Sequence, residues 1–210
     1  MSAASVGPDV HAGRLVSVMH PSRTALVLGS TQPAGVADPG ACRSAGVEVV
    51  HRRSGGGAVL VGPAEQLWVD VLVPRRDPLW CADVGQAAWW VGEAWARALA
   101  RAAAMVDLQV WRGALVHTEW SRLVCFAGRG AGEVTGAGGA KLVGISQRRT
   151  RAGALFQCSC LLRWEPGQLL ALLALDQTAR RRAEAQLAAV AAPVGCAADV
   201  LLRDFLASLP

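Results

Sequence analysis

The chain has 210 residues, 52% of them hydrophobic and 18% charged, and a formal net charge of +5; a chain of this length buries roughly 70% of its unfolded surface, so one domain with a sizeable core is expected. It contains no run of about 18 uncharged apolar residues, which argues against a membrane-spanning helix, and no basic segment followed by an apolar one at its N-terminus, so a cytoplasmic location is expected. The positive charge is too weak and too local to predict binding of nucleic acid.

The first half of the chain is expected to form a loose tail, short strands and one long helix. Residues 1–13 are mostly small or polar and include Gly and Pro, which is typical of a loose tail. The segment 83–105 carries an apolar residue at about every helical turn, which predicts the longest helix. Apolar or alternating runs predict strands at 15–19, 25–28 and 67–73 and on either side of a loop at 52–57, and 41–45 is expected to form a helical turn.

The second half predicts more strands followed by helices. Strands are expected at 110–116, 123–127, 141–146 and 154–164, with a flexible glycine-rich segment at 128–139. The C-terminal region 166–210 is expected to hold three helices, at 166–175, 178–190 and 199–209. Because strands and helices do not alternate regularly, the pattern favours an α+β domain with helices on one face of a sheet over βαβ units.

The most informative stretch is a glycine loop between two apolar runs. Its residues are Arg52, Arg53, Ser54, Gly55, Gly56, Gly57 and Ala58. Three successive glycines open the main-chain N–H groups to a ligand and tolerate positive φ, and the arginines suit a carboxylate or a phosphate. The loop therefore predicts a site for an anionic small molecule. The alternative is a β-hairpin in which the glycines only turn the chain and the arginines face water.

A second informative region begins at a lysine. Lys141 opens a strand pattern that continues through Gly144, Ile145, Ser146, Gln147 and Arg148. On its own, such a lysine is typical of an edge-strand charge that discourages aggregation. Its combination with the glycine loop favours a functional interpretation.

Together, these segments resemble the catalytic core of the lipoate-protein ligase A and octanoyltransferase family, which is related in fold to biotin protein ligases. The resemblance rests on R-R-S-G-G-G-A-V at 52–59, on K-x-x-G at 141–144 followed by Gln147 and Arg148, and on residues 153–156, and it covers about residues 24–165. It implies a mixed, largely antiparallel sheet with helices packed on it, as in class II aminoacyl-tRNA synthetases and biotin protein ligases. We expect a single catalytic domain over 1–210 with no accessory domain.

The resemblance implies an enzyme that attaches lipoate or octanoate to a lysine of a lipoyl carrier domain in 2-oxoacid dehydrogenase or glycine cleavage complexes. The acid is first joined to AMP, with ATP and Mg²⁺ as cofactors, and the lysine amine then attacks the acyl adenylate. Residues 55–58 would lie beneath the acyl phosphate, and Arg52 and Arg53 would meet anionic oxygens. Lys141 would contact the acyl carbonyl and the α-phosphate, where charge develops in the transition state. Further site residues implied are Ser54, Gly144, Ile145, Ser146, Gln147 and, on the nucleotide side, Arg148.

Cys125 raises a second hypothesis. A Cys-Phe pair shortly before the motif lysine is similar to octanoyltransferases of this superfamily that use the cysteine as acyl acceptor. The thiolate would take octanoyl from acyl carrier protein and pass it to the lipoyl domain without a cofactor, and a neighbouring cation such as Lys141 would favour the thiolate. The alternative is that Cys125 is a small buried hydrophobe.

The chain also departs from the family pattern. Residues 60–63, Leu-Val-Gly-Pro, stand where ligases carry an aromatic residue, His and Asp, and Gln157, Cys158 and Ser159 stand where many carry His-His-Gly after the preceding Phe. These departures motivate a third hypothesis, a non-catalytic protein that binds lipoyl domains or acyl ligands.

The remaining polar and aromatic residues predict no further site. The four histidines are scattered, so no metal site is predicted. Cys158 and Cys160 share one face of a strand and are expected in the core, and all six cysteines are expected to be free thiols. Asp70 lies mid-strand, either as a buried partner for an arginine or facing water. The arginines at 180–182 are expected on an exposed helix face that could meet an acidic carrier domain.

Overall fold

The computed structural model describes residues 13–210, so the tail expected at 1–13 lies, apart from its last residue, outside the described residues. The strands are β1 (Leu15–Met19), β2 (Ala25–Leu28), β3 (Glu48–His51), β4 (Val59–Val61), β5 (Gln66–Pro74), β6 (Gln109–Val110), β7 (Val134–Thr135), β8 (Lys141–Arg149) and β9 (Gly153–Leu161). The α-helices are α1 (Pro39–Ser44), α2 (Trp89–Ala102), α3 (Pro166–Ala171), α4 (Gln177–Leu187) and α5 (Ala198–Ser208). Within residues 13–210, no helix is long and apolar enough to cross a bilayer.

Six strands form an antiparallel sheet in the order β1-β5-β9-β8-β7-β6. The long strands β5, β9 and β8 form its centre, where Val69 pairs with Cys158. Helices α2 and α5 cover the apolar side of the sheet, and Trp95 of α2 stacks on Phe205 of α5 with ring centroids 3.9 Å apart. The main core lies between this sheet and the two helices, and both Cys158 and Cys160 are buried in it, as predicted.

Three shorter strands form a second sheet in the order β3-β2-β4, with β2 parallel to β3 and antiparallel to β4. Because β2 lies between the two strands that flank the glycine loop, the β-hairpin alternative for that stretch is wrong. The loop instead passes the C-terminal end of β2, where Arg52 N donates to Leu28 O at 2.9 Å. Helices α1, α3 and α4 pack on this small sheet around a second core.

The expected class, an α+β fold with a mixed and largely antiparallel arrangement of strands, is confirmed. The expectation of one sheet with helices on one face is wrong in detail, since each of the two sheets has its own set of helices. The three C-terminal helices are confirmed, and the long helix expected at 83–105 begins at Trp89 after a 3₁₀ turn at Gln86–Ala88.

Two strands expected in the second half are mostly absent from the described fold. Of 110–116 only the first residue belongs to a strand, β6, and 123–127 ends in a 3₁₀ helix at Cys125–Ala127. Val124 is fully buried and makes a single bridge to Ala58, whereas Leu115 is exposed. The apolar residues of these two segments make single long-range contacts and do not form a ladder of strand pairs. The segment expected to be flexible, 128–139, contains β7 and is hydrogen-bonded to its neighbours.

Candidate active site

A cleft of about 570 Å³ opens between the glycine loop and the first half of β8. This volume lies within the range of small-molecule sites. The segment that follows β2 and the segment 115–122 form its other walls. The cleft is lined, among others, by Gly55, Gly56, Gly57, Cys125, Glu133, Lys141, Ile145 and Ser146.

The backbone requires glycine at two positions of the loop. Gly56 has a φ of +100°, in the region that favours glycine. A Cβ on Gly57 would lie 2.6 Å from main-chain atoms of Val124, whereas a Cβ on Gly55 would meet no atom within 4 Å. The close approach of Gly57 to Val124 therefore fixes the loop against the segment that carries Cys125.

Arg52 holds the loop in shape. Its Nη2 donates to the carbonyl oxygens of Gly55 and Gly57, both at 2.8 Å, and its Nε donates to that of Gly55 at 3.2 Å. Its Nη1 is buried and has no hydrogen-bond partner within the described chain, and Arg52 is not among the residues that line the cleft. Arg53 is exposed and lies outside the residues that line the cleft.

Lys141 is buried at the floor of the cleft, in contact with a carboxylate. Its Nζ lies 2.7 Å from Glu133 Oε2 and donates to the carbonyl oxygens of Cys125 at 3.3 Å and Gly128 at 3.0 Å. The Lys141 and Glu133 side chains are only 4% and 7% exposed. Because an ammonium group has three N–H donors, these three contacts use all of them.

Glu133 is itself fixed by the main chain. Its Oε2 accepts from Gly130 N at 2.7 Å and its Oε1 accepts from Ile145 N at 3.1 Å. The carboxylate therefore ties the glycine-rich segment to β8 and determines where the Lys141 ammonium lies.

Cys125 borders the same cleft and is partly exposed. Its Sγ lies 3.7 Å from Arg52 Nη2. The Lys141 ammonium group donates to the main-chain oxygen of Cys125 at 3.3 Å. The Arg52 guanidinium is thus a cation in contact with the thiol, although the two N–H groups of its Nη2 already donate to Gly55 O and Gly57 O.

A row of polar side chains continues from the glycine loop across the large sheet. Ser54 Oγ lies 3.3 Å from Ser146 Oγ and 3.4 Å from Gln157 Oε1. Asp70 accepts from Gln157 Nε2 at 3.4 Å and from Trp68 Nε1 at 2.7 Å. Burial raises the pKa of Asp70, because it outweighs these two hydrogen bonds, which lower it. Asp70 therefore pairs with neutral donors, so the expected arginine partner is wrong, and the residue is partly exposed.

The model of one protein family, the lipoyl protein ligase A/B catalytic domain, matches residues 12–205. The chain belongs to this family. The resemblance found in the sequence is thereby confirmed. No curated protein matches the chain in a sequence search.

Solved structures of lipoate protein ligases share the fold of this family member at low sequence identity. The bipartite lipoate protein ligase of Thermoplasma acidophilum, described with its E2 lipoyl domain, is 17% identical with a TM-score of 0.72, over 93% of this chain and 69% of that chain. Lipoate-protein ligase A bound with ATP is 16% identical with a TM-score of 0.67, over 94% and 71%. P. falciparum LipL1 in complex with lipoate is 11% identical with a TM-score of 0.63, over 93% and 46%.

Not every residue implied by the family pattern lines the cleft in this family member. Gly144 lies behind the floor, where a Cβ would come within 3.2 Å of the Phe126 ring. The Gln147 side-chain amide lies 3.1 Å from the Val84 carbonyl oxygen, and Gln147 is not among the residues that line the cleft. Arg148 is partly buried and lies outside the lining residues. Their roles in binding stay predictions.

Two buried polar residues of the site were missed from the sequence, Glu133 and Gln32. The Gln32 side chain accepts from Gly29 N at 2.9 Å and donates to the carbonyl oxygens of Arg122 at 3.0 Å and Leu123 at 3.2 Å, so it joins two walls of the cleft. Both left a signal in the sequence. Gln32 follows a predicted strand and its terminal glycine, and Glu133 is the one acidic residue of its glycine-rich segment.

The described residues do not fit a preformed magnesium site. Within residues 13–210, no group of three or more His, Cys, Asp or Glu side chains is placed to hold a metal ion. Mg²⁺ is commonly held by one or two carboxylates together with substrate phosphates, and the Glu133 carboxylate in this cleft is already bonded to Lys141 and two main-chain N–H groups.

Proposed function

We propose that this chain attaches lipoate or octanoate to a lysine of a lipoyl carrier domain through an acyl adenylate, as a single catalytic domain acting in the cytoplasm. The observation that carries the proposal is that Lys141 and the bare main chain of the glycine loop border the same cleft. Membership of the lipoyl protein ligase A/B family supports it. The relatives bound with ATP and with lipoate support the choice of substrates.

The reaction has two steps. In the first, a carboxylate oxygen of the acid attacks the α-phosphorus of ATP, the P–O bond to pyrophosphate breaks, and the acyl adenylate forms. In the second, the lysine amine attacks the acyl carbon, the C–O bond to AMP breaks, and the amine releases a proton. Negative charge develops on a phosphate oxygen in the first step and on the acyl oxygen in the second, and the Lys141 ammonium group would stabilise both.

Lys141 needs a free N–H donor for this role. Since its three donors are engaged, we infer that a substrate oxygen replaces the carbonyl oxygen of Cys125 or Gly128. The contact with Glu133 would persist and keep the ammonium group at the floor of the cleft. For the Arg52 guanidinium to meet a second anionic oxygen, its buried Nη1 must first be opened to the cleft.

The test is release of pyrophosphate from ATP in the presence of lipoate or octanoate. Lys141→Met should lower the rate by about 10²- to 10³-fold, as expected for loss of a group that stabilises developing charge. The control is the Lys141→Met/Glu133→Gln double variant, which removes both charges together. This variant has no unpaired buried carboxylate, so its loss of activity reports the missing ammonium group and not a destabilised fold. Release at the wild-type rate by the double variant would contradict the role of Lys141. Absence of release by the wild-type protein with every medium-chain acid would contradict the adenylate route.

The position of Cys125 favours a second candidate function, an octanoyltransferase that needs no ATP. The Cys125 sulfur would attack the octanoyl thioester of acyl carrier protein, and the carrier thiol would leave. The lysine amine of the lipoyl domain would then attack the new thioester and release Cys125. The partly exposed sulfur in the cleft and its contact with Arg52 support this route.

Intact mass spectrometry tests the transferase route. After mixing with octanoyl acyl carrier protein, the wild-type protein should carry one octanoyl group, and Cys125→Ser should carry none. Cys81→Ser is the matched control, because Cys81 is also partly exposed but does not line the cleft. An adduct that persists in Cys125→Ser would exclude this role. Binding of a lipoyl domain without turnover in either assay would favour the non-catalytic hypothesis instead.

A further inference from the structure

The segment 115–122, which we call the rim segment, carries exposed apolar side chains at the mouth of the cleft. Leu115 is 60% exposed and lines the cleft, and its neighbour Val116 is 40% exposed. Both belong to the small set of large hydrophobic side chains that the described chain leaves exposed. Leu115 thus exposes apolar surface at the edge of the cleft, and a protein that docks over the mouth would bury it.

Hydrogen bonds hold the rim segment in place. Val116 and Arg129 exchange two main-chain hydrogen bonds of 2.8 and 3.2 Å. Thr118 Oγ1 donates to Ala127 O at 3.0 Å, and Gln32 donates to the carbonyl oxygen of Arg122 at 3.0 Å. The exposure of the apolar side chains is therefore imposed by the fold and does not come from a loose loop.

The mouth of the cleft also carries an unpaired positive charge. Arg122 is exposed and lines the cleft, and its guanidinium group has no carboxylate partner within residues 13–210. The nearby acidic side chains are already used, since Glu119 pairs with Arg182 and Glu133 pairs with Lys141. A partner that contacts this mouth should therefore offer carboxylates.

We propose that the rim segment is the docking surface for the lipoyl carrier domain, and that it receives an acidic turn next to the acceptor lysine. For its choice of partner this inference rests on the proposed function. The acceptor amine must reach the acyl carbon above Lys141, and a lysine side chain has only a four-carbon stem, so the protein that carries it must sit on the mouth of the cleft. Leu115 would contact an apolar side chain of that turn, and Arg122 would contact a carboxylate.

The first test measures binding alone, so it does not depend on activity. An unmodified E2 lipoyl domain from the same organism is titrated into the wild-type protein and into Arg122→Glu and Leu115→Ser, with melting curves to verify folding. Each variant should weaken binding about tenfold, the size of effect found for central interface residues, and Arg122→Glu should also remove most of the dependence on salt. The matched controls Arg101→Glu and Leu206→Ser change exposed residues on α2 and α5 and should bind as the wild type does.

The second test compares two acceptors for lipoyl adenylate, the lipoyl domain and hydroxylamine. The ratio of the two rates should fall about tenfold in Arg122→Glu, because hydroxylamine needs no docking surface. Equal binding by Arg122→Glu and the wild-type protein, or a lipoyl domain that does not bind the wild-type protein, would overturn the docking surface. Failure of the proposed function would give a different result. The wild-type protein would then bind the lipoyl domain, and Arg122→Glu would weaken that binding, but no acyl group would be transferred from any donor.

Discussion

The core under α2 and α5 and the cleft beside the glycine loop share strand β8 but differ in chemistry. The core is a cluster of buried apolar side chains, with Trp95 stacked on Phe205. The cleft instead buries the charges of Lys141 and Glu133. Apolar burial stabilises a fold directly, whereas a buried ion pair contributes little net stability and is costly when one partner is lost. Stability and activity should therefore respond to substitutions in different regions.

The largest effect on stability is expected from the core. Trp95→Ala should lower the free energy of unfolding by about 3–5 kcal/mol, because it removes a fully buried ring and leaves a cavity. Urea unfolding measures this loss. Activity per folded molecule should stay near the wild-type value, since Trp95 is absent from the residues that line the cleft. A stable variant with lost activity would break the division between the two regions. Trp95→Phe, which keeps most of the packing, is the milder control.

The next largest effect is expected from the buried ion pair. Lys141→Met should lower the free energy of unfolding by about 3 kcal/mol, because it leaves the Glu133 carboxylate buried without its counter-ion. The Lys141→Met/Glu133→Gln double variant should regain most of that stability but none of the activity.

Urea unfolding of both single variants and the double variant gives the coupling energy between the two side chains. A double variant as unstable as the sum of the two single variants would mean that the side chains act independently. The cleft would then owe its stability to other contacts, such as those from Lys141 to the two carbonyl oxygens.

A smaller effect is expected where the glycine loop meets the segment before Cys125. Gly57→Ala should lower the free energy of unfolding by about 1–3 kcal/mol and reduce activity, because its Cβ would meet the main chain of Val124 at 2.6 Å. Gly55→Ala is the matched control and should change stability little, since its Cβ meets open space. Melting curves and pyrophosphate release measure both variants. Equal tolerance at the two positions would contradict the tight contact of the loop.

Much of the main core was predictable from the sequence, because periodicity reports which side of a strand or helix is apolar. The alternation in β5 and the helical period around Trp95 each predicted an element that the structure contains. The cleft was predictable only where a motif marks it, at the glycine loop and at Lys141. Glu133 and Gln32 act through partners distant in sequence or through the main chain. Such contacts produce no periodic pattern of residue types in the sequence. The prediction of a strand at 123–127 was wrong for a similar reason, because the apolar Val124 makes a single long-range bridge and does not belong to a strand.

The smallest effect concerns Asp70, at the far end of the polar row from the cleft. Burial raises the pKa of Asp70 in the folded protein above its usual value of 3.8, so the folded state binds the proton more tightly than the unfolded state. Stability therefore falls as the pH rises through the interval between the two pKa values, and it stays lower above that interval. Asp70→Asn keeps an oxygen acceptor for Trp68 and removes the charge, so it should melt like the wild-type protein below pH 3.8 and at a higher temperature at neutral pH. Melting curves across this range measure the difference. A lower melting temperature for the variant than for the wild-type protein at neutral pH would mean that the ionised carboxylate is well solvated or well paired. The polar groups in this row would then stabilise the fold, as the apolar core does.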